Sequence, residues 1–221
     1  MPTILLTGFG RFPGASHNPS GPLARKLARI RRPAFAGIRR LAHVFATSYA
    51  AVDREMPELI AHHQPDAIVM FGLASRTKPV RIEMQARNRQ LVLFPDATGF
   101  SPRTPRIRTQ GPDRLRGRAA FSRLLAAARS RGSDAVLSRN AGRYVCNYCY
   151  WRAIEGAASS GHIQSAPKTS PEIIVFIHVP KVLTSARRRS SLRPRAPRMI
   201  DLVRAGEAIL AAVVAGVQAP L

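Results

Sequence analysis

A chain of 221 residues, 45% of them hydrophobic, is long enough to bury a core without disulfides or structural metals. Its two cysteines stand three positions apart, which excludes a disulfide framework and favours a reducing compartment. No stretch approaches the roughly 20 apolar residues of a membrane span, and the N-terminus lacks the pattern of a signal peptide. We therefore expect a cytoplasmic protein that does not bind membranes.

Short apolar runs alternate with segments of helical periodicity along the chain. The predicted strands span residues 3–7, 40–46, 66–72, 80–84, 134–137 and 172–178. The predicted helices span residues 23–30, 52–63, 119–131, 148–155 and 199–217. This alternation predicts an α/β fold in a single domain, residues 1–221, with a mostly parallel, twisted sheet covered by helices on both faces.

The first predicted strand runs into a glycine-rich loop, residues 8–14, which contains Phe9 and Phe12. The loop has neither the G-x-G-x-x-G spacing of dinucleotide-binding folds nor a Gly-Lys-Ser motif, so nucleotide binding receives little support. After it, the segment from Asn18 to Ser20 offers an N-cap for the following helix.

Residues 80–84 alternate in polarity, as in a strand with one exposed face, and put Glu83 on the same face as Arg81. Two interpretations stay open, because Glu83 can form a surface salt bridge with Arg81 or serve as a catalytic carboxylate. A long, irregular connection rich in arginine follows at residues 95–118, and connections of this length are usually functional or mobile.

The segment before the fourth predicted helix contains Gly142, which permits a tight turn, and then Cys146. Cys146 is expected near the first helical turn, where unpaired N–H groups favour a thiolate. A catalytic thiolate needs a base and an orienting carboxylate, and His178 and Glu83 are candidates. Each of Phe9, Cys146 and His178 follows or ends a predicted strand. Because parallel strands, including residues 134–137, end at one edge of the sheet, we expect the three residues to meet there.

Two other interpretations of Cys146 remain at this point. Free cysteines in helices are commonly small buried hydrophobic residues. Alternatively, Cys146 and Cys149 form a C-x-x-C motif at a helix start, as in thiol–disulfide redox proteins.

The formal net charge of +23 would by itself suggest a nucleic-acid partner. Lys occurs only at positions 26, 78, 168 and 181, so Arg supplies 31 of the 35 basic residues, and these are scattered through most segments. Only residues 187–195 form a dense basic cluster, and it lacks the interleaved aromatic residues of nucleic-acid-binding modules. We therefore rank nucleic-acid binding below an enzymatic function.

Four segments in order carry a family resemblance. They are residues 7–14 with the Asn18–Ser20 segment, the Glu83 stretch with Ala86 and Asn88, residues 138–147, and residues 176–180. Through them nearly the whole chain resembles pyroglutamyl peptidase I, a family of cysteine peptidases that remove an N-terminal pyroglutamyl residue. The resemblance implies a three-layer α/β/α sandwich, a peptide substrate with a blocked N-terminus and no cofactor or metal.

The resemblance also implies roles for single residues. Cys146 is the nucleophile, His178 the general base and acid, and Glu83 the orienting carboxylate. The residues that it assigns to substrate binding are Phe9, Phe12, Asn18 and Val145, with the two phenylalanines flanking the lactam ring and Asn18 holding their loop. Because family members are often dimers or tetramers, the resemblance is compatible with a homo-oligomer.

The chain departs from the family pattern at two positions that bear on the pocket. Leu73 stands where the family usually has Gln, and Leu93 stands where an Arg near the oxyanion is expected. Both changes remove polar groups from the predicted pocket. They leave a catalytically weakened or re-specialised member of the family as the alternative to a typical peptidase.

Overall fold

Strands and α-helices alternate along much of the chain, as the periodicity predicts, whereas residues 67–116 contain four strands in succession and no α-helix. The computed structural model describes residues 1–160, 171–182 and 196–219, so the predicted basic cluster at 187–195 lies outside the described residues. The strands are β1 (Thr3–Phe9), β2 (Arg39–Phe45), β3 (Ala67–Leu73), β4 (Val80–Glu83), β5 (Gln85–Arg87), β6 (Arg114–Arg116), β7 (Ala135–Ser138) and β8 (Ile173–Val179). The α-helices are α1 (Ser20–Arg29), α2 (Tyr49–His63), α3 (Phe121–Arg129), α4 (Val145–Ser160) and α5 (Met199–Gln218).

The described residues form a six-stranded sheet in the order β2-β1-β3-β8-β4-β7. Strands β1, β2, β3 and β8 are parallel, whereas β4 is antiparallel to β8 and parallel to β7. The connection from β3 to β4, residues 74–79, is shorter than the dozen or so residues that a parallel crossover needs. Strand β4 therefore runs antiparallel to β8, and β7 runs in the same direction as β4. Residues 134–137 consequently end at the opposite edge of the sheet from β1, β3 and β8, and the expectation that they end at the same edge is wrong.

The side chains of the sheet alternate between two apolar cores, which the period of a strand dictates. Along β3, Val69 and Phe71 pack with α1, α3 and α5, whereas Ile68 and Met70 pack with α2 and α4. Helices thus cover both faces of the sheet, and the predicted three-layer α/β/α arrangement is confirmed.

The long connection at residues 95–118 is held by hydrogen bonds and contains strand β6, which pairs with β5. The amide of Asn88 donates to the carbonyls of Arg108 (2.9 Å) and Pro112 (3.1 Å) and accepts from the Arg108 N–H (2.8 Å). At the other end, a carboxylate oxygen of Asp96 accepts from the Tyr49 N–H at the start of α2 (2.9 Å). The connection therefore sits against the same end of α2 that borders the candidate site.

In the part of the chain that the structure describes, no helix combines the length and the apolar character needed to cross a membrane.

Candidate active site

Cys146 lies in the first turn of α4, after a loop that turns sharply at Gly142. Gly142 has a φ of +85°, as predicted, and its N–H donates to Asn140 Oδ1 at 3.1 Å. The sulfur of Cys146 packs against β3 at Gly72, because a Cβ added at position 72 would lie 2.8 Å from Sγ. A glycine at position 72 therefore gives the sulfur the room that it occupies.

The surroundings of the Cys146 sulfur favour the thiol over the thiolate. Burial, and after it the negative charge of Glu83, raise the pKa of Cys146 to about 12, while its own backbone N–H lowers the pKa. The predicted effect of the helix start is thus present but smaller than the effect of burial. The thiol needs a base inside the site to take its proton.

Glu83 and His178 form a buried pair across neighbouring strands. Their side chains are 0% and 8% exposed, and His178 Nδ1 lies 2.9 Å from Glu83 Oε1. Since a carboxylate only accepts, Nδ1 carries the proton and Nε2 is the basic nitrogen. The Phe176 ring, with its centroid 4.9 Å from that of the imidazole, packs against it. The pair therefore holds an oriented base.

Arg81 forms an ion pair with Glu83, which was one of the two interpretations of Glu83 that the sequence allowed. Its Nη2 lies 3.1 Å from Glu83 Oε1 and also donates to Ser138 Oγ at 2.6 Å. The pair is not a surface salt bridge, because Glu83 is fully buried. Arg81 instead offsets a carboxylate charge that burial would otherwise make costly.

A cavity of about 360 Å³ brings most of the predicted site residues together. Its walls include Phe9, Phe12, Asn18, Cys146 and His178. Glu83 stands behind His178, where it contacts the imidazole and not the cavity. Val145 is fully buried in the apolar core and does not line the cavity, so its contact with a substrate stays a prediction.

Phe9 ends β1, and the loop that follows it and carries Phe12 is tied down at one carbonyl. Gly10 O accepts hydrogen bonds from Asn18 Nδ2 at 2.8 Å and from Thr47 Oγ1 at 3.1 Å. Asn18 Oδ1 also accepts from the Ser20 N–H at 3.1 Å, at the start of α1. Asn18 thus couples the loop to α1, and Thr47 is a contributor that the sequence did not reveal.

Comparisons with known proteins show which family the chain belongs to. The profile of the pyroglutamyl peptidase family matches residues 2–219. The chain belongs to the pyroglutamyl peptidase family. Pyrrolidone-carboxylate peptidase of Clavibacter michiganensis subsp. michiganensis is 30% identical over 81% of this chain and 79% of its own length. The same enzyme of Bacillus subtilis is 30% identical over 81% of this chain and 78% of its own length.

Solved structures share the fold at lower identity. Pyrrolidone carboxyl peptidase from Thermococcus litoralis is 22% identical, with a TM-score of 0.82 over 100% of both chains. Pyroglutamyl peptidase I from Bacillus amyloliquefaciens is 22% identical, with a TM-score of 0.80 over 97% of this chain and 98% of that one.

Tyr144 is a cavity residue that the sequence reasoning missed. Its ring centroid lies 5.8 Å from that of Phe12, and its hydroxyl donates to Pro95 O at 2.8 Å. Burial, and then the charge of Asp96, raise the pKa of Tyr144 to about 12, so the hydroxyl stays neutral. The sequence signal that could have revealed Tyr144 is its position, because it is an aromatic residue two positions before the candidate nucleophile.

The two leucines that depart from the family pattern lie in different environments. Leu73 ends β3, is 7% exposed and lines the cavity, as expected. Leu93 is 88% exposed and does not line the cavity. The cavity is also not short of cations, because its walls include Arg76, Arg81 and Arg143. The expectation that Leu93 takes a polar group out of the pocket is wrong, because this residue lies outside the cavity.

The C-x-x-C interpretation finds no geometric support. Cys149 is fully buried, its sulfur lies 4.0 Å from Met70 Sδ, and both cysteines are free thiols. Burial, and then Cys146, raise the pKa of Cys149 well above its usual range, whereas reactive redox thiols have lowered values. Within the described residues, no group of three or more His, Cys, Asp or Glu side chains is placed to bind a metal ion.

Proposed function

We propose that this protein hydrolyses the amide bond that follows an N-terminal pyroglutamyl residue, with Cys146 as nucleophile, His178 as general base and acid, and Glu83 as the orienting carboxylate. One observation carries the proposal: His178, whose Nδ1 lies 2.9 Å from the buried carboxylate of Glu83, lines the same cavity as Cys146. The names of the relatives give the same activity for those proteins.

In the first half of the reaction, His178 Nε2 takes the proton of the Cys146 thiol as the sulfur attacks the carbonyl carbon of the pyroglutamyl group. The oxyanion that forms lies near the start of α4, where backbone N–H groups have no helical partner and can donate to it. His178 then gives its proton to the leaving amine, the C–N bond breaks, and a thioester with Cys146 remains.

In the second half, His178 Nε2 takes a proton from water, whose oxygen attacks the thioester carbonyl. The C–S bond breaks, the thiol is restored and pyroglutamate leaves. Glu83 holds Nδ1–H throughout and stabilises the imidazolium that forms in each half. Arg81 also pairs with Glu83, and its positive charge offsets the negative charge of the carboxylate that faces His178.

A pyroglutamyl ring is flat and uncharged, with one N–H and one C=O. Phe9, Phe12 and Tyr144 supply aromatic surface for its faces in the cavity. The Phe12 and Tyr144 rings contact each other at the cavity wall, with centroids 5.8 Å apart. This surface favours a lactam ring over the charged amine of an ordinary N-terminus.

We also retain the predictions that the chain is one domain and that it acts in the cytoplasm, where its free thiols stay reduced. A homo-oligomer and the absence of nucleic-acid binding stay predictions as well.

A chromogenic pyroglutamyl amide tests the proposed function, with a prolyl amide as the specificity control. We expect turnover of the first and not of the second. Cys146→Ser should lower kcat/KM by about 1,000-fold or more, because the nucleophile is lost. Cys149→Ser, the matched control on the same helix, should change kcat/KM by no more than about 3-fold, because its sulfur lies outside the cavity.

No cleavage of the pyroglutamyl amide by the wild-type protein would contradict the proposal. Equal loss of activity in the two cysteine variants would leave a coupled cysteine pair as the better explanation.

A further inference from the structure

A second cavity, of about 310 Å³, adjoins the candidate active site. Its walls are Arg87, Arg89, Asn140, Gly142 and Arg143. Three of these residues, Asn140, Gly142 and Arg143, also line the cavity of Cys146. The two cavities therefore meet at the loop that leads into α4, and we call the second one the arginine cavity.

The arginine cavity is built on the same helical turn as the candidate nucleophile. Asn147, which is fully buried, accepts from the Arg87 N–H and donates to the carbonyls of Arg87 and Arg89, each at 2.8 Å. The guanidinium of Arg87 donates to Asn140 Oδ1 at 3.2 Å. The backbone that carries two of the arginines is thus fixed relative to Cys146.

The charge of the arginine cavity is uncompensated. No carboxylate lines it, and within the described residues the side chains of Arg89 and Arg143 make no hydrogen bond or ion pair. Guanidinium groups that converge on one space repel each other, and an anion between them relieves this repulsion. Planar guanidinium groups also match a carboxylate with paired hydrogen bonds.

The chemistry of the proposed reaction fixes which part of a substrate reaches the arginine cavity. No aromatic or aliphatic side chain lines that cavity, so it does not suit the pyroglutamyl ring, which the aromatic walls of the neighbouring cavity accept. A pyroglutamyl group has nothing before its ring. Whatever extends beyond the ring therefore belongs to the leaving group.

We propose that the arginine cavity binds a carboxylate of the leaving group, so that the preferred substrates are pyroglutamyl peptides with a negative charge close to the scissile bond. This inference rests on the proposed function. The carboxylate has two possible sources: the side chain of an acidic second residue, or the free C-terminal carboxylate of a pyroglutamyl dipeptide.

Two pairs of substrates distinguish these sources. Pyroglutamyl-glutamate amide is compared with pyroglutamyl-glutamine amide, and pyroglutamyl-alanine with its own amide, by kcat/KM at low ionic strength. We expect the charged member of at least one pair to be preferred by about 10-fold, and added salt to reduce the preference. The pair that shows the preference identifies the source.

The double variant Arg89→Gln/Arg143→Gln should abolish the preference for the charged member. Arg123→Gln, an exposed arginine on α3 and so on the opposite face of the sheet, is the matched control and should leave the preference and the basal activity unchanged. Equal kcat/KM within both pairs, or a preference that survives the double variant, would overturn the inference.

Binding to Cys146→Ser protein separates this inference from the proposed function. Calorimetric titration should give a Kd for pyroglutamyl-glutamate amide or for pyroglutamyl-alanine about 10-fold lower than for its neutral counterpart. Equal Kd values within both pairs, or no binding, would overturn the inference even if the wild-type protein cleaves neutral pyroglutamyl amides. If the wild-type protein cleaved no pyroglutamyl amide and Cys146→Ser protein still bound the charged member of a pair more tightly, only the proposed function would be contradicted.

Discussion

The inner end of the active-site cavity and the connection between β5 and β6, residues 88–113, are built in different ways. At the inner end, Glu83 and His178 lie on neighbouring strands, and Cys146 packs against Gly72 of a third. On the connection, Leu93 is 88% exposed and lies outside the cavity. A residue at the inner end cannot move without the sheet, whereas an exposed residue of the connection can change with little effect on the fold.

This difference explains which parts of the family pattern the chain keeps. The residues proposed for bond cleavage belong to the inner end, and each lies in a segment that carries the family resemblance. Leu93, which departs from that pattern, lies on the connection outside the cavity. Leu73 is the exception, because it departs from the pattern and yet is buried in the cavity wall. If the two regions also differ in their contribution to catalysis, substitutions at the inner end should have the larger effects.

The largest effect is expected from Glu83→Gln at the inner end. The amide keeps the shape of the side chain but removes the charge that stabilises protonated His178. We expect kcat to fall by on the order of 100- to 10,000-fold with little change in KM, because the charge matters most when the imidazolium forms. Steady-state kinetics on a chromogenic pyroglutamyl amide measure both quantities.

Glu58→Gln is the matched control for this substitution. Glu58 is exposed on α2, so the same loss of charge should leave kcat and the unfolding midpoint unchanged. If Glu83→Gln kept kcat within about 3-fold of the wild type, the carboxylate would not orient the base, and its pair with Arg81 would be structural only.

A smaller effect is expected of pH on the rate at which iodoacetamide alkylates Cys146, which should change about 10-fold per pH unit. Since its pKa is raised to about 12, the thiolate fraction should rise tenfold with each pH unit between pH 6 and pH 10. Peptide mapping should find Cys146 labelled well before Cys149, which is fully buried. A rate that is already constant near pH 6 would show a preformed thiolate and would contradict the effect of burial.

The sequence predicted the six strands of the main sheet, the α-helices and the turn at Gly142, because these depend on local periodicity and on backbone freedom. Strands β5 and β6 were not predicted, because three residues each are too few to show a period. The reversed direction of β4 and β7 has no local signal, since it depends on how a short connection returns to the sheet. The burial of Glu83 was likewise open, because it arises when Tyr150 of α4 and β8 pack against its strand. The arginine cavity combines residues that are up to 56 positions apart, so no single motif predicts it.

The smallest effects, and the sharpest comparison, are expected from the two leucines. Leu73 lines the cavity, and a side-chain amide there can pair with the N–H or C=O of a lactam ring. A buried polar group left without a partner costs about 1–3 kcal/mol. Recovering about 1 kcal/mol of this cost in the transition state should let Leu73→Gln raise kcat/KM on a pyroglutamyl amide by about 5-fold. The same substitution at Leu93, and Leu93→Arg, should change kcat/KM by less than about 2-fold, because the native side chain is exposed and lies outside the cavity. An equal or larger gain from Leu93→Arg would mean that the connection between β5 and β6 reaches the ring, and that the division between the inner end and this connection is wrong.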